Sequence, residues 1–146
     1  MKKVGAKVIV IIAGHYGSCQ VDFIKKVSND FAAANPSIRV IARPENEGVL
    51  VDGETPGDHA GKWETSMLWS LYPDRIRWDS YDTQMSDMKI YKNAPHDYYK
   101  ESADWDFGED LRVSSSESLG RKAIDIITDT IVADIRKALD TLDHKE

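Results

Sequence analysis

The first sustained apolar run, KVIVII at residues 7–12, is rich in β-branched residues and ends in Ala13-Gly14, which predicts a strand buried on both faces of a parallel sheet. From residue 20 to 34 the period changes. Val21, Ile24, Val27, Phe31 and Ala34 recur at helical spacing, and Asn35-Pro36 ends the helix because the residue before a proline is driven out of the α region. IRVIA at residues 38–42 reads as a second buried strand. Strand, helix and strand within about forty residues make a βαβ unit, with parallel strands and a right-handed crossover. The expected class is therefore α/β.

The pattern then loosens. Residues 43–58 are polar and turn-rich around a short VLV, which predicts a long surface loop leaving the C-terminal end of a strand, the edge at which open α/β sheets bind ligands. Trp63, Met67, Leu68 and Leu71 mark an amphipathic helix over residues 62–71, stopped by Tyr72-Pro73, and DRIRWD at residues 74–79 reads as a short extended piece. Residues 80–106 hold many aromatics and charges without a sustained period, which predicts an irregular excursion. The clearest signal comes last. Leu119, Ala123, Ile124, Ile127, Ile131, Ile135, Ala138 and Leu142 line one face of a long helix, with N-caps available at residues 114–116 and Glu117 in the first turn.

Composition narrows the partners. At 146 residues, 41% hydrophobic and 30% charged, the chain has the size and balance of one folded domain, here residues 1–146. A net charge of −6, with basic residues scattered, leaves no electrostatic footprint for nucleic acid. Residues 8–13 are too few to span a bilayer, and Met1-Lys2-Lys3 opens no cleavable leader, so no membrane partner and a cytoplasmic location are expected. The single cysteine, Cys19, forms no internal disulfide and is read as a small buried hydrophobe rather than a nucleophile. One detail is unusual: a central-type strand begins a few residues after Met1, whereas a parallel sheet needs earlier strands to dock it, so the chain is expected to lack N-terminal strands of its sheet.

Two stretches carry candidate chemistry. AGHYGSCQ places His15 just beyond the first strand between Gly14 and Gly17, where an imidazole is presented at the ligand edge or satisfies loop carbonyls. GDHAGKWETS places Asp58 and His59 in a loop and Glu64 in a first helical turn, where a carboxylate is favoured by the helix dipole whatever its function. The nine aromatics from Trp63 to Trp105 read as core or oligomer contact ahead of a substrate pocket.

GHYG, then DHAGKWETS some forty residues later, then LYPDRI, and finally GEDLRVSSSESLGRKA together resemble the creatininase (creatinine amidohydrolase) family, with Leu111 where proline is common. The resemblance implies a three-layer α/β/α sandwich with a mainly parallel sheet, of which this chain is the C-terminal portion, assembled as a homohexamer. It implies metal-dependent hydrolysis of an amide C–N bond in a small cyclic or linear substrate. By the same resemblance His15 and Glu64 match metal ligands, Asp58 and His59 match an acid–histidine pair beside the scissile bond, and the metal is Zn²⁺, Mn²⁺ or Fe²⁺.

Two departures shape the expectation. Creatinine-hydrolysing members carry a glutamate two residues after the metal histidine, where this chain has Gly17, and the family's Glu-x-His occurs nowhere in the 146 residues. His96 and His144 lack the spacing to substitute. The site is thus expected to be completed by a segment outside this chain, in a homo-oligomer or in a hetero-oligomer with a chain carrying the other ligands. The alternatives are a non-catalytic, degenerate creatininase-like subunit acting in assembly and a small flavodoxin-like binding domain, the latter without any phosphate loop to support it.

Overall fold

In a computed structural model, residues 5–80 and 111–143 are described. They form a mixed helix and strand architecture: strand β1 (Val8–Ala13), helix α1 (Ser18–Ala34), strand β2 (Arg39–Pro44), helix α2 (Lys62–Leu71), a 3₁₀ turn (Pro73–Arg75), the short helix α3 (Leu111–Ser114) and the long helix α4 (Glu117–Asp143). Among the described residues no helix is long and apolar enough to cross a membrane. Contacts divide the chain into two compact units, Met1–Val49 with Ile126–Glu146 and Leu50–Asp125.

The first unit contains the βαβ element. β1 and β2 pair in parallel from Val8 opposite Arg39 to Ala13 opposite Pro44, and α1, the crossover, packs on β2. Asn35 closes α1 by donating its backbone N–H to the Ala32 carbonyl at 3.1 Å and its side-chain amide to the Phe31 carbonyl at 2.9 Å. Both-face burial of β1 is not met: Ile11 and Ile12 are 38% and 46% exposed, and because neighbouring residues of a strand point to opposite faces, neither face is fully covered at this end of β1. The inward face of α1 also differs from the expected one. Ser28 is its buried residue, flanked by half-buried Val21, Ile24, Lys25 and Ala32, whereas Val27 and Phe31 are exposed. The counts of apolar residues at helical spacing were blind to which of two overlapping stripes meets the strand. Cys19 is likewise exposed, not buried, since it lies on the first turn of α1 away from that inward stripe.

β2 runs two residues further than expected. Arg43, read as the start of a surface loop, is buried: its Nε donates to the Pro44 carbonyl at 3.2 Å, and its other nitrogens reach the Asp134 carboxylate on α4 and the Glu47 carbonyl. Val49, also expected on the surface, is 2% exposed.

The second unit is helical around α2 and the N-terminal part of α4. Val51 is fully buried and bridges Glu54 across a two-residue turn, in which Asp52 and Gly53 both take left-handed backbone (φ 54° and 87°) as such tight turns require. α2 ends where Tyr72 donates its N–H to Leu68, and Pro73 opens the 3₁₀ turn, so the extended piece expected at residues 74–79 begins in a turn instead. The cap expected for the last helix is present, with Ser116 Oγ accepting the Leu119 N–H at 3.1 Å. Ala123 in this unit and Ile127, on the same helix in the first unit, are buried, as the apolar stripe predicts. The stretch expected to be irregular lies, from Tyr81 onward and including Tyr91, His96, Tyr98, Tyr99 and Trp105, outside the described residues, as does His144.

Candidate functional site

The stretch from Asp58 to Glu64 is a tightly bonded turn at the entrance of α2. A helix leaves its first N–H groups without internal partners, and the N-cap here is Gly61, which has no side chain to offer them. Asp58 serves instead, reaching forward so that Oδ2 accepts the Trp63 N–H at 2.7 Å and Oδ1 accepts the Glu64 N–H at 3.1 Å. Glu64 reaches back, its Oε2 accepting the Ala60 N–H at 2.8 Å, which makes a reciprocal cap of the capping-box kind. Both carboxylates also lie at the positive end of the helix dipole.

Two backbone features make the closure fit. Ala60 adopts φ 52°, a left-handed conformation that costs a non-glycine residue on the order of 1 kcal/mol. At Gly61 a Cβ would stand 2.5 Å from Asp58 Oδ2 and 2.7 Å from its Cγ, so only glycine leaves room for the capping carboxylate. Beneath the turn, Trp63 is 4% exposed and anchors α2, while Lys62 bonds Glu54 at 2.6 Å and lies 5.2 Å from the Trp63 ring. His59 is half-buried between two pinned neighbours. Within the turn Glu64 bonds through Oε2, and its second carboxylate oxygen, Oε1, takes no part in the cap.

His15 belongs to the first unit. It follows β1 through Gly14 and is exposed, and a Cβ at Gly17 would stand 3.1 Å from its Nε2. Position 17 is therefore the neighbour of the imidazole, and glycine there keeps the ring's nitrogen open.

A family profile described as creatininase, creatinine amidohydrolase, matches residues 1–135. The chain belongs to the creatininase family. No curated protein and no solved structure matches it. Of the residues that the resemblance singles out, the structure places Asp58, His59 and Glu64 in one turn of the second unit and His15 at the strand end of the first. The donor types suit a divalent metal, imidazole nitrogen and carboxylate oxygen. Their number does not make a centre, since among the described residues no three His, Cys, Asp or Glu side chains gather in a metal-binding group.

Sequence reasoning missed the parts of this creatininase-family chain that hold the turn in place. Ser66, fully buried two residues after Glu64, accepts the Ser116 N–H on Oγ at 3.1 Å, and the Ser70 carbonyl accepts Arg121 at 3.0 Å. Gly120 on α4 lies against the Ser66 backbone so closely that any Cβ would collide with it. The small residues of WETSMLWS and LGRKA were the available signal. Also missed was a cavity of about 350 Å³ in the first unit, lined by Lys25, Ser28, Asn29, Arg43, Glu47 and Asp134 among others. The paired charges around it gave no motif to read.

Proposed function

We propose that the protein is a creatininase-type amidohydrolase, a hydrolase of C–N amide bonds in a small cyclic or linear substrate, and that His15 and Glu64 are two of the ligands of its divalent metal. The observation that carries the reading is the family match over residues 1–135. The hydrogen bonding of the Asp58–Glu64 turn supports it, because that turn holds His59 between fixed neighbours and engages Glu64 through Oε2 alone. The remaining ligands come from a segment outside these 146 residues, within a larger creatininase-like domain of three α/β/α layers or on a companion chain of an oligomer.

When bound, a divalent metal of the Zn²⁺, Mn²⁺ or Fe²⁺ kind supplies an acidified water and a polarised carbonyl. The chain's own residues do the rest. His59 passes a proton to the leaving amide nitrogen, a role open to an imidazole because its ring nitrogens can both donate and accept a proton. Asp58, with both oxygens engaged by the N–H groups of α2, keeps His59 beside the bond to be cleaved. Gly17, adjacent to His15, removes the carboxylate that creatinine-hydrolysing members carry at that position, which directs the substrate away from creatinine.

Metal analysis with native mass measurement tests the reading. The isolated chain should take up Mn²⁺ or Zn²⁺ weakly, and stoichiometric uptake should appear only with the companion segment. In the completed assembly His15→Ala should lose metal first, whereas His59→Ala should keep metal and lose most hydrolysis. Tight binding of two metals by the isolated chain through ligands other than His15 would overturn the proposal.

A second reading, a non-catalytic creatininase-like subunit that acts in assembly, is favoured by the lack of a three-donor group among the described residues. It predicts no metal uptake and no hydrolysis with any companion segment.

A further inference from the structure

α1 has two faces, and one of them has no partner among the described residues. Its inward stripe centres on buried Ser28, while Phe23, Val27 and Phe31 are 67%, 49% and 39% exposed. These three residues are four apart, so they stand in a single ridge along the helix. Large apolar side chains in a row on a helix of a water-facing surface are costly to leave solvated, and Phe23 is the most exposed aromatic ring among the described residues.

We infer that this ridge is an interface with a second copy of the chain, α1 against α1 about a two-fold axis at Val27. The ridge reads the same in both directions, Phe-Val-Phe at equal spacing, so an isologous antiparallel contact through it pairs apolar with apolar along its whole length. The two-fold sets Val27 against Val27 of the partner subunit and Phe23 against Phe31 of the partner subunit.

Charge agrees with the same axis. Beside the ridge, exposed Lys26 bonds Asp30 at 2.7 Å. With a rise of about 1.5 Å per residue, Lys26 lies about 1.5 Å below the level of Val27 and Asp30 about 4.5 Å above it. The two-fold therefore brings Lys26 within about 3 Å axially of Asp30 of the partner subunit. The two pairs join into a cluster of two cations and two anions whose charges cancel, with an aspartate of each chain available to each ammonium. Three side chains per copy cover less than the about 800 Å² per partner of a standard interface, so association through this ridge is concentration-dependent.

Sedimentation equilibrium of the full chain over a wide concentration range tests this. The wild type should approach a dimer or a higher even assembly. Phe23→Lys with Phe31→Lys should weaken self-association at least about 30-fold, whereas Phe23→Lys with Phe31→Glu should recover most of it, because the axis opposes the two new charges. All three residues are exposed, so circular dichroism should show both variants folded. In a Cys19→Ser background, Val27→Cys should form a disulfide-linked dimer on mild oxidation much faster than Val113→Cys, a more exposed control. A monomer at every concentration, an assembly indifferent to the lysine pair, or equal cross-linking of the two cysteines would each overturn the inference. None of these outcomes depends on metal or on hydrolysis, so they leave the catalytic proposal to its own test.

Discussion

Gly120→Ala sets two rules of helix energetics against each other with opposite signs. Gly120 lies inside α4, and alanine in a helix interior is favoured over glycine by about 0.8–1 kcal/mol, so propensity alone predicts a stabilised protein. The structure predicts the reverse. A Cβ at position 120 would overlap the carbonyl of Ser66 and stand 2.7 Å from the Met67 nitrogen, and these are backbone atoms that cannot swing aside like the end of a side chain. Carbon contacts are comfortable near about 3.5–4.0 Å, so α2 and α4 must separate by on the order of 1–2 Å. Overpacking of this kind costs about 1–3 kcal/mol. Separation also breaks the bond from the Ser116 N–H to buried Ser66 Oγ, at about 1 kcal/mol. Subtracting the propensity gain leaves a net loss of about 1–3 kcal/mol.

Urea unfolding followed by far-ultraviolet circular dichroism measures this directly as a shift in midpoint at constant slope. Fluorescence of Trp63, buried in the neighbouring turns of α2, should report the displacement before unfolding. Ser66→Ala removes the hydrogen bond without adding bulk, so it should cost about 1 kcal/mol and be less than additive with Gly120→Ala, since both act on one joint. A Gly120→Ala protein that is more stable than wild type by the propensity increment would refute the close approach and with it the placement of α2.

At Gly61 a Cβ expels the Asp58 carboxylate, so Gly61→Ala and Asp58→Ala should each lose about 1–2 kcal/mol, with amide exchange at Trp63 and Glu64 accelerated in both. Asp134→Ala strips the carboxylate from Arg43, which is 8% exposed, and should cost about 2 kcal/mol by urea unfolding, below the range for a fully buried pair because Asp134 itself is half-exposed. The hydrogen bonds from Arg77 hold the Asp79 carboxyl below its usual range, an ordering that stabilises the fold above the ordinary carboxylate pKa and is lost as pH falls through the lowered value. Both groups are fully exposed, so Arg77→Ala should move the Asp79 titration upward by NMR while leaving the unfolding midpoint at neutral pH nearly unchanged.

What the sequence made legible were features whose cause is local. The period of Leu119 to Leu142 and the Ser116 cap predicted α4, and Tyr72-Pro73 predicted the end of α2, because each signal and its effect lie within a few residues. Burial was less legible. Val27 and Phe31 fit a helical stripe as well as Val21 and Ile24 do, and the choice between the stripes rests on where β2 lies, which no spacing records. Arg43 looked like a loop residue because a buried guanidinium is intelligible only with Asp134, ninety-one positions away. In GDHAGKWETS the place of Glu64 in the first turn of α2 was legible, but the capping role of Asp58 and the direction of the bonds were not. Asp58, not a residue adjacent to the helix, satisfies its first turn, and Gly61 is small for the sake of Asp58.

That division of labour yields a sharper test of Glu64. As a cap residue Glu64 needs one acceptor oxygen for the Ala60 N–H, and glutamine provides an oxygen in the same place, since Gln serves nearly as well as Glu in a capping box. As a metal ligand it needs the charge and the second oxygen, Oε1, which glutamine replaces with an NH₂ donor that repels a cation. Glu64→Gln should therefore change stability by no more than about 1 kcal/mol, the upper end of the dipole contribution of one charge near a helix start. The same variant should reduce by tenfold or more whatever affinity the protein has for Zn²⁺ or Mn²⁺, as loss of an orienting or ligating group does. Glu64→Ala, by contrast, should lose both. If Glu64→Gln keeps its metal affinity and Glu64→Ala loses only stability, the residue is a cap and nothing more, and the ligand set proposed here has to be drawn without it.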